Sequence, residues 1–176
     1  MNKYINSVDF FKTRDNGKIE KPLSLILAAY QLRTPENLGA IIRLASNLNI
    51  KKVFFIQDTS ILTSSKIARV AHSGLKHVDY SFCSSDEFFS AIPSDFATVA
   101  VETSEKASNL FSTELPQKCV LIFGNERYGI EQQFLNRMDK TVFIPLLGKT
   151  LSLNVSHAAT IAAFEWARQH LNLEKF

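Results

Sequence analysis

The stretch Cys119-Val-Leu-Ile-Phe-Gly-Asn-Glu-Arg-Tyr-Gly129, CVLIFGNERYG, runs an unbroken apolar segment straight into a polar turn framed by two glycines. A strand with one wet face alternates apolar and polar residues. An apolar run without alternation suits a strand covered on both faces, as in a parallel sheet between layers of helix. The glycines let the chain turn tightly around the carboxylate of Glu126.

Further apolar, β-branched runs lie on either side, at 23–31, 52–57, 78–83, 97–102 and 141–147. Between them come segments of helical period. Residues 35–48 set Leu38, Ile41, Ile42, Ala45 and Leu48 on one stripe, and 154–171 does the same with Val155, Ala158, Ala159, Ala162 and Trp166. Shorter helices are expected near 64–72, 86–91 and 130–138. This alternation predicts an α/β fold, an open, mainly parallel six-stranded sheet with helices on both faces. At 176 residues the chain is read as a single domain spanning 1–176, with 1–21 as a polar arm or short helix. In such sheets ligands bind beyond the carboxyl ends of the strands.

Composition narrows the function less than the motifs do. The formal net charge is +3, which permits a nucleic-acid partner without requiring one. Basic residues gather at Lys12, Arg14, Lys18 and Lys21, and again at Lys66, Arg69 and Lys76. The aromatic residues are mostly Phe, 14 of them, which suits packing more than an exposed platform. Cys83 and Cys119 have neither CxxC spacing nor partner histidines, so no metal site and a reducing compartment are expected. With no apolar run long enough to span a bilayer, the expected location is the cytoplasm, away from membranes.

Several nucleotide-handling signatures are missing. No GxGxxG is present, and Gly124 to Gly129 has the GxxxxG spacing of a phosphate loop but continues Ile130-Glu131 in place of Lys-Ser/Thr. Neither HExxH nor GxSxG occurs. Three loops remain. Thr34-Pro35 opens a helix that carries Asn37, Gly39 and Arg43, with Arg43 off the apolar stripe on the face of Glu36, Ala40 and Asn47. Gly124 to Gly129 follows the apolar strand. The third loop, Ile144 to His157, alternates Ser152, Asn154 and Ser156 with apolar residues, and Ser152 or Asn154 can cap the last helix.

In this order, NLGAIIRLA (37–45), LIFGNERYGI (121–130) and IPLLGKTLSLNVSHAATIAAFEW (144–166) resemble the three signature motifs of the SpoU/TrmH family of RNA ribose 2′-O-methyltransferases, of the SPOUT class. RVAHSG at 69–74 adds a weaker match, and the resemblance covers about 22–170. It implies S-adenosyl-L-methionine as cofactor, a homodimer whose active site draws on both subunits, and a C-terminal deep trefoil knot, with about 119–170 as the knotted cofactor-binding region. Carried over by motif position, Gly124, Ile144, Leu146 and Leu153 would contact the cofactor. Arg43 would assist loss of the ribose proton, and Asn37, Glu126, Ser152 and Asn154 would organise that site.

The chain departs from the family pattern at Leu147, where Met is common, at His157, where an apolar residue is common, and at Tyr128. Tyr128 would flank the cofactor or simply pack. RNA binding would rest on Lys12, Arg14, Lys18, Lys21, Lys66 and Arg69 and on the dimer surface. tRNA is favoured as substrate and rRNA is possible. Two rival readings stand beside this one: a SPOUT base methyltransferase, against which SLNVS with Arg43 argues, and a non-catalytic RNA-binding dimer of the same fold.

Overall fold

In the computed structural model the described residues are 22–57 and 76–173, together with Ser7 and Ala71. The expected arm over 1–21, the helix near 64–72, most of the 69–74 segment and the candidate RNA-binding residues Lys12, Arg14, Lys18, Lys21, Lys66 and Arg69 lie outside them.

Seven strands form one sheet: β1 (Leu25–Tyr30), β2 (Lys52–Ile56), β3 (Asp79–Cys83), β4 (Ala97–Val101), β5 (Ser108–Asn109), β6 (Cys119–Phe123) and β7 (Lys140–Phe143). Their order is β3-β2-β1-β6-β4-β7-β5, and every pairing is parallel. The expected six strands are therefore seven. The extra one, β5, has only two residues on the sheet edge beside β7, too few to leave a periodic signal. The sixth expected strand stops at Phe143 rather than 147, because Pro145 has no amide hydrogen to give a ladder.

Four α-helices, α1 (Pro35–Asn47), α2 (Ser85–Ala91), α3 (Gln132–Leu135) and α4 (Val155–His170), and a short 3-10 helix, Leu110–Ser112, accompany the sheet among the described residues. The helix expected over 130–138 shrinks to one turn, in which only Phe134 is buried. Leu48 is the C-cap of α1 and packs at the core margin.

Both faces of the sheet are covered, as the unbroken apolar runs predict. In β1 all six residues are buried, and alternate side chains serve different layers. Leu25, Leu27 and Ala29 join a core with α1 and α4, in which Leu38, Ile41, Ala159, Ala162 and Trp166 are at most 2% exposed. Ile26, Ala28 and Tyr30 face the other layer, where Phe88 of α2 and Phe134 of α3 close the core. Ring centroids there lie 4.5 Å apart for Tyr30–Phe134 and 5.5 Å for Phe54–Phe88. Phe54, Phe55, Phe88, Phe123 and Phe134 are all buried in these two layers.

The topology positions the site. β6 sits between β1 and β4, and β7 lies on the far side of β4. Since all strands point the same way, the loops leaving β4, β6 and β7 emerge side by side at the carboxyl edge. The loop after β1 emerges next to that after β6.

Candidate active site

A cleft of about 1270 Å³ opens at this edge, larger than an ordinary small-molecule pocket of roughly 300–1,000 Å³. Gly124, Ile144, Leu146 and Leu153, the expected cofactor contacts, all line it, as do Glu126 and Ser152. Ala158, expected in the core, is only half-buried and forms part of the wall. Leu151 and Leu153 stand 78% and 38% exposed, leaving apolar surface on the cleft side of the last loop.

The glycine pair has a specific cause. Glu102 directly follows β4 and turns its carboxylate between Gly124 and Gly129. A Cβ at either glycine would lie 2.6 Å from Glu102 Oε2. At Gly124 it would also meet the Gly129 backbone at 2.7 Å, and Gly129 itself holds φ +66°. The same carboxylate accepts the Ile130 amide at 3.0 Å and the Thr103 amide at 2.8 Å. Glu102 therefore ties the loop after β4 to the turn after β6. It escaped the sequence reading because nothing at a strand end marks a glutamate whose partners lie more than twenty positions away.

The turn is also closed from within. Asn125 and Gly129 exchange two backbone hydrogen bonds of 3.0 Å, and Asn125 Oδ1 accepts the amides of Arg127 and Tyr128 at 2.8 and 3.1 Å. Asn125 Nδ2 donates to the carbonyl of Gln31, which holds a left-handed φ of 53° just after β1. Asn125 thus joins the β1 and β6 loops.

Glu126 sits at the N-terminus of α1. Thr34 is the N-cap residue of that helix, yet its side chain makes no capping bond. Its hydroxyl goes to Glu126 instead. Asn37 Nδ2 donates to Glu126 Oε1 at 2.8 Å, and the Arg33 amide makes a longer contact of 3.5 Å with Oε2. Burial raises the pKa of this carboxylate. The donors of Asn37, its own backbone, Thr34 and Arg33 outweigh that and hold it below its ordinary value. The positive end of the helix dipole acts in the same direction.

Asn37 carries the chain of contacts onward, its Oδ1 accepting Asn154 Nδ2 at 3.1 Å. Asn154 is the N-cap of α4, and its Oδ1 accepts the Ser156 amide at 2.9 Å and the Ser156 hydroxyl at 2.6 Å. Capping thus uses one end of the Asn154 amide while the other reaches Asn37. Ser152 is exposed on the cleft wall, and of the residues joined by these hydrogen bonds Glu126 lines the cleft while Asn37, Asn154 and Ser156 do not. His157 is exposed and gives its amide to Asn154 as part of the helix.

Arg43 is exposed on α1, off the buried stripe as expected. Among the described residues no hydrogen bond or ion pair connects it to Glu126, Asn37 or Asn154. Six positions beyond Asn37, it points elsewhere around the helix, so a single chain does not bring it to the cleft.

The chain belongs to the SpoU rRNA Methylase family, whose model matches residues 24–164. It is 32% identical over 149 residues to the tRNA/rRNA methyltransferase YfiF of Escherichia coli O157:H7, described as uncharacterized, covering 82% of this chain and 42% of that one. It is also 32% identical over 151 residues to the 23S rRNA (guanosine-2′-O-)-methyltransferase RlmB of Acinetobacter baylyi, with 84% and 61% covered. It therefore spans about half the length of these relatives. A solved structure described as giving insights into the 2-OH methylation of C/U34 on tRNA superposes with a TM-score of 0.76 at 30% identity, over 85% of this chain and 97% of that one.

Proposed function

We propose that this protein is an S-adenosyl-L-methionine-dependent RNA methyltransferase that modifies a ribose 2′-hydroxyl, with tRNA as its substrate. The observation that carries the reading is the hydrogen-bonded chain Glu126–Asn37–Asn154–Ser156 at the rim of the cleft lined by Gly124, Ile144, Leu146 and Leu153. For tRNA speaks the extent of the matches. The solved relative described with tRNA is 30% identical and is covered over 97% of its chain.

The cleft suits the cofactor. Its walls at Ile144, Leu146 and Leu153 are apolar, and Gly124, whose side-chain position is filled by Glu102 and the Gly129 backbone, lines it through main-chain groups. When bound, S-adenosyl-L-methionine supplies an activated methyl group, which needs no metal. The protein's task is then to place the ribose hydroxyl in line and stabilise the charge that develops on its oxygen.

Two helix N-termini, those of α1 and α4, meet at Asn37 and Asn154, and their positive dipole ends make this rim attract negative charge. Glu126 neutralises part of that field and fixes the Asn37 amide, leaving Ser152 and the helix ends facing substrate. Free arginine is a very poor base, because its guanidinium holds its proton tightly. Arg43 would act as an electrostatic partner of the developing alkoxide or through a substrate phosphate. Since one chain does not bring Arg43 to its own cleft, we assign it to the site of a second copy in a homodimer. Leu147, 99% exposed, fits a surface covered on association. The knotted path of the C-terminal loops and a cytoplasmic location belong to the same reading.

Titration calorimetry with S-adenosyl-L-methionine tests it. Binding by the wild type is expected, with at least tenfold weaker binding by Gly124→Ala. A wild type that binds no donor would favour the RNA-binding scaffold instead.

A further inference from the structure

Beside Glu126 stands a feature that methyl transfer as described does not use. Tyr128 is 66% exposed at the tip of the glycine-framed turn. The Arg127 guanidinium lies 5.2 Å from its ring centroid, and the guanidinium of Arg33, from the loop after β1, lies 6.0 Å away. Both distances are within cation–π range. Among the described residues neither arginine has a carboxylate within salt-bridge distance.

The arrangement is built rather than incidental. Asn125 fixes the amides of Arg127 and Tyr128 with one end of its side chain and the Gln31 carbonyl with the other. The two loops that supply the stack are therefore held together, and the rigid turn presents a large ring to water. The Glu126 carboxylate, adjacent to Arg127 in sequence and touched by the Arg33 amide, is already occupied by Asn37 and Thr34. With Glu126 occupied in this way and Glu102 held by the Ile130 and Thr103 amides, both guanidinium groups remain available to an anionic group.

Building on the RNA-methylation reading above, we propose that Arg33, Arg127 and Tyr128 form a platform that seats an unpaired nucleotide of the substrate at the cleft mouth, with its base stacked on the Tyr128 ring and its phosphate between the two arginines. Aromatic rings stack bases without regard to sequence, while guanidinium groups stack and also pair bidentately with phosphate. The platform lies next to the Glu126–Asn37 pair, so a nucleotide held there is the target itself or its immediate neighbour. The basic residues singled out in the sequence would add long-range attraction, whereas this cluster would fix the register.

The test measures end-labelled bulk tRNA by filter binding and S-adenosyl-L-methionine by calorimetry, for the full chain and its variants. Tyr128→Ala is expected to weaken tRNA binding about tenfold, and Tyr128→Phe, which keeps the stacking face, to stay within about twofold. Arg33→Ala combined with Arg127→Ala should lower the slope of log affinity against log salt by roughly 0.7 for each phosphate no longer neutralised. Donor affinity and melting temperature should hold in all three. The proposal is overturned if Tyr128→Ala binds and methylates tRNA like the wild type, which leaves the methyltransferase reading standing. It is equally overturned if Tyr128→Ala loses donor affinity instead, because the ring would then serve the cofactor. A wild type that binds donor but no RNA overturns both readings together.

Discussion

Asn37 donates to Glu126 at 2.8 Å across 89 positions of sequence, and this hydrogen bond fastens the N-terminus of α1 to the turn after β6. Asn37 is 7% exposed, so both ends of its amide need partners, and they have them in Glu126 and Asn154.

Replacing Asn37 by Ala removes a charge-assisted hydrogen bond and a neutral one. The expected loss is about 2 kcal/mol of stability by denaturant unfolding, with methyl transfer down at least tenfold. Asn37→Asp keeps the shape but sets a second carboxylate against Glu126, so it should be worse than Ala at neutral pH. An Asp variant as stable as wild type would show that this hydrogen bond does not hold the site.

The notch between Gly124 and Gly129 gives a second prediction. Gly129→Ala meets both the Glu102 carboxylate and the penalty of a left-handed φ, together about 2–4 kcal/mol. In a Glu102→Ala background the steric part disappears and roughly 1–2 kcal/mol should remain. Additive unfolding energies in this double-mutant cycle would mean that Glu102 does not fill the notch.

Protonation of Glu126 is linked to folding. Its pKa is lower in the folded chain, so the stability it contributes is complete above the unfolded value of about 4.3 and disappears as pH falls through the folded one. The melting temperature of the wild type should exceed that of Glu126→Gln at pH 7, and the gap should close on acidification below about 4. A gap that widens in acid would reverse the sign.

Burial pushes the Cys119 thiol up to about 12, and burial with the nearby Glu87 carboxylate raises that of Cys83. Little thiolate is then present at pH 8. Iodoacetamide should leave Cys119 unmodified in the native protein and label both cysteines after unfolding. Fast native labelling at Cys119 would contradict its place in β6.

What could be read in the sequence differs between fold and site for physical reasons. Strands buried on both faces announce themselves as unbroken apolar runs, so β1, β2, β4 and β6 were legible within two residues of each end. β5 was not, since two residues carry no period, and α3 was overdrawn because one buried Phe134 cannot distinguish a turn from a helix. At the site, Glu126 and Asn154 stood out through their motifs, yet their link through Asn37 needed the fold. Glu102 and Arg33 stayed invisible, being ordinary surface residue types whose meaning comes from neighbours distant in sequence. Arg43 was legible as off-stripe, but the fold of one chain does not bring it to the cleft.

The most direct test of the central claim supplies the protein with methyl-labelled S-adenosyl-L-methionine and tRNA, digests the RNA to nucleosides and identifies the labelled product by mass spectrometry. The expected product is a nucleoside methylated on the ribose 2′-oxygen, formed by the wild type and lost in Arg43→Ala and Asn154→Ala. A label on the base, or transfer at the normal rate by Arg43→Ala, would contradict that claim.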